Sequence, residues 1–393
     1  MNRILIILFV VPIVLLAYVT VGYLALLVLA TRFRKQLPSV RAADSSPNSW
    51  PKVSISLPVH NEADIIETTL AHLLAIDYPR DKLQILVISD ASSDETNEIV
   101  RSYRERGIEL LELTSRRGKT GAENAGVAHL RGEIIVNTDA TTCIPPGSVK
   151  SLVAAFSDQT IGMASGRDMA IGQSGALVTV GESSYTNLEI LIRRFETQLG
   201  SIVGASGCFY AVRRGLQQAT FPNALSRDFA AAMLSREAGL RAVSVEEAIC
   251  FVPTSASLTT EFRRKVRTME LGLATLWHYR ALLNPLRYGS FAWMLFSHKL
   301  CRWLFFLLAP LLPIGALWAT SGRIQLFVFA TIVAGVVVSL SGILWPRSLR
   351  RPHLWTLVGF AGVVTAAALV AWKRFLVGPR DHIWEPTRRA PVV

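Results

Sequence analysis

The sequence predicts an α/β domain with a Rossmann-like, mostly parallel sheet, joined to transmembrane helices at both ends. Apolar strand patterns alternate with amphipathic helix patterns from Val53 to Thr138, and strands that alternate with helices of about 10 to 15 residues form right-handed parallel units. Long uncharged runs lie near both ends of the chain. The composition is 51% hydrophobic and only 18% charged, which is too apolar for an ordinary soluble protein.

The predicted elements follow one another in a regular order. Strands are predicted at Val53–Leu57, Gln84–Ser89, Glu109–Leu113 and Glu133–Thr138, with helices between them at Asp64–Ala75, Asp94–Arg106 and Gly121–Leu130. Beyond them we expect a helix at Ser148–Phe156, an extended segment at Gly162–Ala170, a helix at Tyr185–Gln198, a strand at Ser206–Val212 and a helix at Phe229–Ala238. The carboxyl ends of parallel strands form the ligand-binding edge of such a sheet.

Four uncharged apolar runs are predicted to cross a membrane, since a helix needs about 20 such residues to do so. They are Ile4–Ala30, Leu304–Gly322, Ile324–Leu344 and Leu354–Trp372. The first run is longer than the apolar core of a signal peptide and lacks a small-residue cleavage site before Arg32, so an uncleaved anchor is favoured over a signal peptide. Pro310 and Pro313 make the second run the one expected to be kinked or re-entrant.

The domain organisation follows from these runs. We predict a transmembrane helix at 1–31, a linker at 32–51, the sheet domain at 52–260, basic amphipathic interface helices at 261–303, about three transmembrane helices at 304–376 and a tail at 377–393. Three basic residues, Arg32, Arg34 and Lys35, follow the first span. Only Arg3 precedes it. The positive-inside rule therefore predicts a multi-pass protein of the inner (plasma) membrane with its sheet domain in the cytoplasm.

The basic charge is concentrated next to the predicted spans. Between Phe262 and Trp303, eight Arg or Lys accompany the single acid Glu270, and aromatic residues are mixed among them. This pattern is typical of helices at lipid headgroups, and it also fits a membrane-adjacent basic surface with no further role. Nucleic acid is not an expected partner, because the charges adjoin spans rather than a free face.

The four cysteines show neither C-x-x-C nor Cys/His metal spacing; they are Cys143, Cys208, Cys250 and Cys301. The sequence therefore favours packing residues over a zinc site or a disulfide framework.

Three acids lie where predicted elements end or begin. Asp90 and Asp139 each follow a strand, and Asp228 precedes the helix at Phe229–Ala238. A carboxylate at such a place can hydrogen-bond a nucleoside or bind a hard divalent cation that carries phosphates. Asp228 also fits a helix N-cap without a functional role, and capping alone accounts for Asp94.

A basic turn precedes the helix predicted at Gly121–Leu130. It reads Arg116-Arg117-Gly118-Lys119. Helix N-termini attract anions, and a glycine among cations lets backbone and side chains approach a diphosphate together. The turn is not a P-loop, because the upstream glycine of that motif is missing. A solvated loop is the alternative interpretation.

Together these motifs resemble the family 2 glycosyltransferases, GT-A-fold enzymes that include membrane-bound cellulose, hyaluronan, chitin and poly-N-acetylglucosamine synthases. The segments that carry the resemblance are LPVHNE, VISDASSDET, RRGKTGAENAGVAHLRGEIIVNTDA, GCFYAVRR and SRDF, in the family's order. The resemblance implies a UDP-sugar donor and an inverting transfer.

The resemblance also implies roles for individual residues. Pro58, Asn61 and Glu62 would line the nucleoside pocket, and Asp90 would contact the uracil. Arg117 and Lys119 would hold uridine or diphosphate. Asp139 would bind Mg²⁺ or Mn²⁺, and Asp228 would be the catalytic base. A positioned base and a cation suit a weak nucleophile and a diphosphate leaving group.

Two departures from the family pattern stand out. The D-x-D triplet is Asp139-Ala140-Thr141, so its second carboxylate is missing. The Q-x-x-R-W motif is replaced by Arg264-Lys265-Val266-Arg267-Thr268, in which Arg264 and Arg267 would supply the donors and Thr268 has no ring.

Three functions account for the predicted spans and stay open at the level of sequence, whereas a nucleotidyltransferase with a similar core would leave the interface helices and spans unexplained. The first is extension of an exopolysaccharide or capsular glycan, the second is transfer of a single sugar to a membrane lipid, and the third is an inactive nucleotide-binding membrane scaffold. The expected partners are a UDP-sugar, a glycan or lipid acceptor, membrane lipids and an export or partner subunit.

Overall fold

A computed structural model describes residues 6–33, 50–171, 182–218, 220–253, 258–344 and 353–378. These residues form two compact units, one from the described parts of 1–33 and 255–379 and the other from the described part of 34–254. Most of the predicted linker at 32–51 and of the tail at 377–393 lies outside the described residues.

A seven-stranded sheet forms the second unit, and its order is β3-β2-β1-β4-β6-β5-β7. Its strands are β1 Val53–Val59, β2 Leu83–Ser89, β3 Ile108–Glu112, β4 Ile134–Thr138, β5 Ile161–Ile171, β6 Phe209–Arg213 and β7 Arg241–Pro253. Only β6 runs antiparallel to its neighbours β4 and β5, and the other paired strands are parallel. The predicted mostly parallel α/β sheet is therefore confirmed.

The helices of the described residues are, in chain order, α1 Leu8–Phe33, α2 Ala63–Leu74, α3 Thr96–Ser102, α4 Gly118–Gly126, α5 Ser148–Ala154, α6 Glu182–Leu199, α7 Arg227–Glu237, α8 Leu258–His278, α9 Ser290–Leu308, α10 Leu311–Ala319, α11 Gly322–Leu344 and α12 His353–Val377. A four-residue helix at Pro285–Tyr288 precedes α9. Helix α4 begins at Gly118 rather than at the predicted Gly121, so Gly118 and Lys119 of the basic turn are its first two residues and Arg117 is its N-cap.

The core of the sheet domain lies around β1, which is buried along its whole length. Its apolar residues Val53, Ile55, Leu57 and Val59 belong to one buried cluster with residues of α2 and α5. The alternate residue Ser54 is also buried. Its hydroxyl donates to Gln84 Oε1 at 2.5 Å and accepts from the backbone amide of Gly132 at 2.7 Å. This polar contact fixes the start of β4 beside β1.

Two helices of the first unit are long and apolar enough to cross a membrane, judged by length and composition among the described residues: α1 and α9. Helix α9 starts at Ser290, well before the predicted span at Leu304. The prediction counted only uncharged residues, and α9 includes the charged residues Lys299 and Arg302. Helix α9 ends at Leu308 and α10 begins at Leu311, so the helical conformation is interrupted at Pro310.

Polar contacts connect the apolar helices of this unit. The Tyr18 hydroxyl on α1 lies 2.6 Å from Ser297 Oγ on α9, and Trp293 Nε1 donates to the same hydroxyl at 3.2 Å. Trp372 Nε1 on α12 donates to the carbonyl of Trp303 at 3.2 Å. By contrast, α11 exposes large apolar side chains, including Ile324, Leu326, Phe327 and Phe329, as expected where a helix faces lipid or another apolar partner.

Gly132 is expected to be essential for the close approach of β4 to β1. A Cβ atom there would lie 2.6 Å from the Val53 carbonyl carbon and 2.8 Å from the Ile134 oxygen. Because these are backbone atoms, Gly132→Ala should lower the free energy of unfolding by about 1–3 kcal/mol.

The measurement is thermal unfolding of the full chain in detergent. Gly147→Ala is the matched control, because Gly147 has an ordinary φ of −82° and its Cβ would meet nothing within 4 Å. Equal unfolding midpoints for the two variants would contradict this account of the β1–β4 junction.

Candidate functional site

The loops after β1 and β2 are joined to each other at the carboxyl edge of the sheet. Asn61 Oδ1 accepts from the Ser93 amide at 2.8 Å, and the Asn61 amide donates to Ser92 Oγ at 3.1 Å. Asn61 and Ala91 both have positive φ, 52° and 53°, which is costly for residues with a side chain. These reciprocal bonds hold both loops in that conformation, directly beside the position predicted for a nucleoside.

Asp94 serves as a cap for two helices. Its Oδ2 accepts from the Ala63 amide at the start of α2 at 3.1 Å, and its Oδ1 accepts from the Thr96 amide at the start of α3 at 3.1 Å. Partial burial raises the pKa of this carboxyl, but the hydrogen bonds from Thr96 and Ala63 outweigh it and the pKa lies below its usual value. The structure confirms the predicted capping role and adds the second helix, which sequence spacing did not reveal.

Asp90 is fully buried at the end of β2 and binds the start of α4. Its Oδ1 accepts from the Arg117 amide at 2.6 Å, and its Oδ2 accepts from the Gly118 amide at 2.8 Å. Gly118 has a φ of 73°, which a glycine adopts without strain. Asp90 thus fixes the basic turn, and its contact with a uracil remains a prediction.

Lys119 brings the first turn of α4 to the end of β4. Its Nζ lies 2.5 Å from Asp139 Oδ1 and 3.4 Å from the carbonyl of Gly207. Burial alone would lower the pKa of Lys119, but attraction to Asp139 and, next, to Glu123 raises it above its usual value. The ammonium is therefore charged and is held on the carboxylate predicted to bind a metal.

Asp228 lies in the first turn of α7, beside Gly207. Ser226, which occupies the N-cap position without a capping hydrogen bond from its side chain, donates its hydroxyl to Asp228 Oδ1. Asp228 Oδ2 would lie 3.1 Å from a Cβ at Gly207. The N-cap alternative for Asp228 is therefore wrong, because the cap position belongs to Ser226.

A buried ion pair beneath this site was not predicted. Glu123 on α4 and Arg227 on α7 are 1% and 7% exposed, and Arg227 Nε lies 3.1 Å from Glu123 Oε2. The Arg227 guanidinium also lies 4.8 Å from the centre of the Phe221 ring and donates to Asn124 Oδ1. Burial raises the pKa of Glu123, while Lys119 and Arg227 oppose the rise. The available sequence signal was Glu123, which is the one Asp, Glu, Lys or Arg in the helix predicted at Gly121–Leu130.

These side chains form one electrostatic site. The charges of Asp139, Glu123 and Asp228 all act on Lys119, and Asp139 and Asp228 both act on Glu123. Asp90 is connected to them through the start of α4. The three predicted acids are therefore gathered around α4, although they lie far apart in the sequence.

The other predicted site residues are distributed over both units. Pro58 is buried within β1, and Glu62 precedes α2, where its amide donates to Thr96 Oγ1 at 2.9 Å. Arg264 and Arg267 lie on α8 in the first unit, where Arg264 Nη2 lies 2.7 Å from Glu261 Oε1. Their predicted contacts with a donor remain predictions.

Comparison with known proteins identifies a family model that matches residues 54–221, described as glycosyl transferase family 2. A probable glycosyltransferase of Bacillus subtilis, YdaM, is 29% identical over 195 residues, which are 47% of this chain and 45% of that protein. The poly-beta-1,6-N-acetyl-D-glucosamine synthase of Staphylococcus aureus is 29% identical over 159 residues, which are 40% of this chain and 38% of that protein. The chain thus spans less than half the length of these relatives.

A solved structure resembles nearly the whole chain. It is the mannosyltransferase PcManGT from Pyrobaculum calidifontis in complex with GDP-Man and Mn2+, with a TM-score of 0.70 and 23% identity. The alignment covers 94% of this chain and 99% of that one. At this level of identity, the likeness shows that the two chains share a fold.

The ion pair between α4 and α7 provides a test of the site's architecture. Arg227→Met should destabilise the protein by about 3–5 kcal/mol, because it leaves the Glu123 carboxylate buried without its partner. Glu123→Leu combined with Arg227→Met should recover most of that loss, because no charge is then left in the apolar position.

Chemical unfolding of the full chain in detergent measures both effects. Arg101→Met is the control, because Arg101 forms a solvent-exposed pair with Glu112 at 2.6 Å and such pairs contribute about 0–1 kcal/mol. A double variant as unstable as Arg227→Met would show that the pair is not the source of the destabilisation.

Proposed function

We propose that this chain transfers a sugar from a UDP-sugar to a growing polysaccharide at the membrane, because residues 54–221 match the model of glycosyl transferase family 2 and the fold is that of a solved mannosyltransferase. The observation that carries the proposal is the meeting of Lys119, Asp139 and Asp228 around Gly207. In this proposal Lys119 supplies a cation, Asp139 the metal ligand and Asp228 the base.

The donor nucleotide is expected at the two joined loops and the start of α4. Asn61 and Glu62 belong to the loop after β1, and Arg117 is exposed at the start of α4. Since Asp90 already accepts from the amides of Arg117 and Gly118, the diphosphate would be held mainly by the side chains of Arg117 and Lys119. Such charge-assisted bonds are stronger than neutral ones.

The donor atoms at Asp139 fit a hard divalent cation. Its side chain is 33% exposed, and the Lys119 ammonium already lies at one of its oxygens, so the position favours positive charge. Asp139 would hold Mg²⁺ or Mn²⁺ with the donor's phosphates, because the second acid of the triplet is replaced by Thr141. When bound, the cation would neutralise charge on the leaving diphosphate.

Asp228 is the proposed base. Its Oδ1 is oriented by the Ser226 hydroxyl, and its Oδ2 faces Gly207, which has no side chain to cover it. Asp228 would take the proton of the acceptor hydroxyl while that oxygen attacks the anomeric carbon from the face opposite the nucleotide. The glycosyl bond to the diphosphate breaks as the new bond forms, and the configuration inverts.

The polysaccharide acceptor is supported by the synthase of Staphylococcus aureus among the relatives. The same transfer to a membrane lipid is a second candidate, because the three predicted closing spans are few for a polymer channel without an export or partner subunit. Both candidates fit a multi-pass protein of the plasma membrane with a cytoplasmic sheet domain.

The decisive experiment incubates the detergent-purified full chain with a panel of UDP-sugars, and with GDP-mannose because the structural neighbour binds it. Nucleoside diphosphate release identifies the donor, and product sizing identifies the acceptor. A ladder of glycans supports the polysaccharide function, and a single sugar on lipid supports the second candidate. Absence of release with every donor would instead indicate a nucleotide-binding scaffold.

Asp228→Asn should lower kcat by about 10²–10⁴-fold, since the amide cannot accept the acceptor proton. The matched control is Asp81→Asn, an exposed acid just before β2, at the opposite ends of the parallel strands. Turnover of Asp228→Asn equal to that of the control would exclude Asp228 as the base.

Asp139→Ala should abolish metal-dependent release of the nucleoside diphosphate while the protein keeps its unfolding temperature within a few degrees. The assay compares the variant and the unchanged chain in EDTA and after Mg²⁺ or Mn²⁺ is restored. Full activity of the unchanged chain in EDTA would exclude the metal role of Asp139.

A further inference from the structure

A second cluster of possible ligands lies elsewhere in the sheet. Asp168 is on β5, Cys208 immediately precedes β6 and Cys250 is on β7, and these three strands are neighbours. Asp168 and Cys250 are direct cross-strand partners. One ligand atom from each of the three residues lies within 4.8 Å of the other two. The register of β5 and β7 therefore fixes Asp168 beside Cys250, and Cys208 lies at the start of the neighbouring strand β6.

The distances within the cluster match a shared cation. Cys208 Sγ lies 3.9 Å from Cys250 Sγ, and Cys250 Sγ lies 3.7 Å from Asp168 Oδ1. A tetrahedral ion with metal–sulfur bonds of about 2.3 Å and metal–oxygen bonds of about 2.1 Å separates two sulfurs by about 3.8 Å and a sulfur from an oxygen by about 3.6 Å. A disulfide requires about 2.05 Å between the sulfurs, so the observed spacing suits a bridging ion better.

The surroundings of the cluster also suit a cation. Cys250 is fully buried and Cys208 is half-buried. The positive group acting on Asp168 is Arg193, which lies 3.8 Å from Glu189 and is shared with it. The Ser206 hydroxyl donates to Asp168 Oδ1, the kind of outer contact that orients a metal ligand.

We propose that Asp168, Cys208 and Cys250 bind a zinc-class divalent cation, with a fourth coordination position open to water or another small ligand. Two thiolates select a softer ion than Mg²⁺ or Mn²⁺, so this site is chemically distinct from Asp139. The proposal gives Cys208 and Cys250 a role beyond the packing role that the sequence predicts. Sequence spacing missed the site because its ligands come from three strands that are distant in the chain.

The site adjoins a segment that the proposed function uses. Cys208 follows Gly207, whose carbonyl accepts from Lys119 and whose Cα faces Asp228. A bound cation would therefore tether this segment to β5 and β7. The proposal rests only on the geometry of the cluster. Its test measures metal binding rather than glycosyltransferase activity.

The test uses the full chain in detergent after removal of metals with a chelator. Zn²⁺ is titrated in competition with a chromophoric chelator, and Co²⁺ is added separately to observe the absorption of thiolate-to-cobalt charge transfer. We expect one equivalent of Zn²⁺ and a charge-transfer band. Cys208→Ser, Cys250→Ser and Asp168→Asn should each weaken Zn²⁺ binding by at least about tenfold.

Cys143→Ser is the matched control, because Cys143 is a half-buried cysteine of the same domain outside the cluster. Circular dichroism of each variant establishes that the fold persists, and the half-buried Cys208 is the position most tolerant of Ser. Stoichiometric Zn²⁺ binding that survives Cys208→Ser and Cys250→Ser together would overturn the proposal. Absence of Zn²⁺ binding to the unchanged chain, or a Cys208–Cys250 disulfide in its place, would overturn it as well.

Discussion

The buried carboxylate of Asp90 is the constraint on which the site depends. It has no exposure to solvent and accepts two backbone hydrogen bonds from the start of α4. A buried charge without such partners would be strongly destabilising, so the end of β2 and the start of α4 are held together. The position and direction of α4 follow from this contact, because the backbone amides of Arg117 and Gly118 are both fixed by one carboxylate.

Helix α4 then connects the remaining parts of the site. Lys119 in its first turn reaches Asp139 at the end of β4, and Glu123 one turn later pairs with Arg227 beside Asp228. Asn124 adds a contact to the loop before α7, donating to the Phe221 carbonyl at 2.7 Å. One short helix therefore sets the positions of acids that come from three distant parts of the chain.

The sequence predicted those parts of the fold in which local pattern and tertiary packing agree. Strands β1 to β4 are apolar runs bounded by turns, and their order placed Asp90 and Asp139 correctly. Strand β7 was not predicted, because Glu246-Glu247 interrupts its apolar pattern where the pairing with β5 changes register. The Glu123–Arg227 pair and the cysteine cluster were missed for another reason. The pair joins α4 to α7, and the cluster joins residues on or beside β5, β6 and β7. These contacts are between residues far apart in the sequence, so residue spacing does not predict them.

The contact between Lys119 and Asp139 has a consequence for how a divalent ion and a phosphate would affect each other's binding. An ammonium 2.5 Å from the carboxylate oxygen already neutralises it, so any divalent ion that takes this oxygen must displace a charge the protein supplies. Phosphate oxygens offer that displaced ammonium a new partner. Thermodynamic linkage then requires the ion and the phosphate to strengthen each other's binding by the same factor. Alone, the ion would compete with the Lys119 ammonium for Asp139, and the phosphate would compete with Asp139 for Lys119.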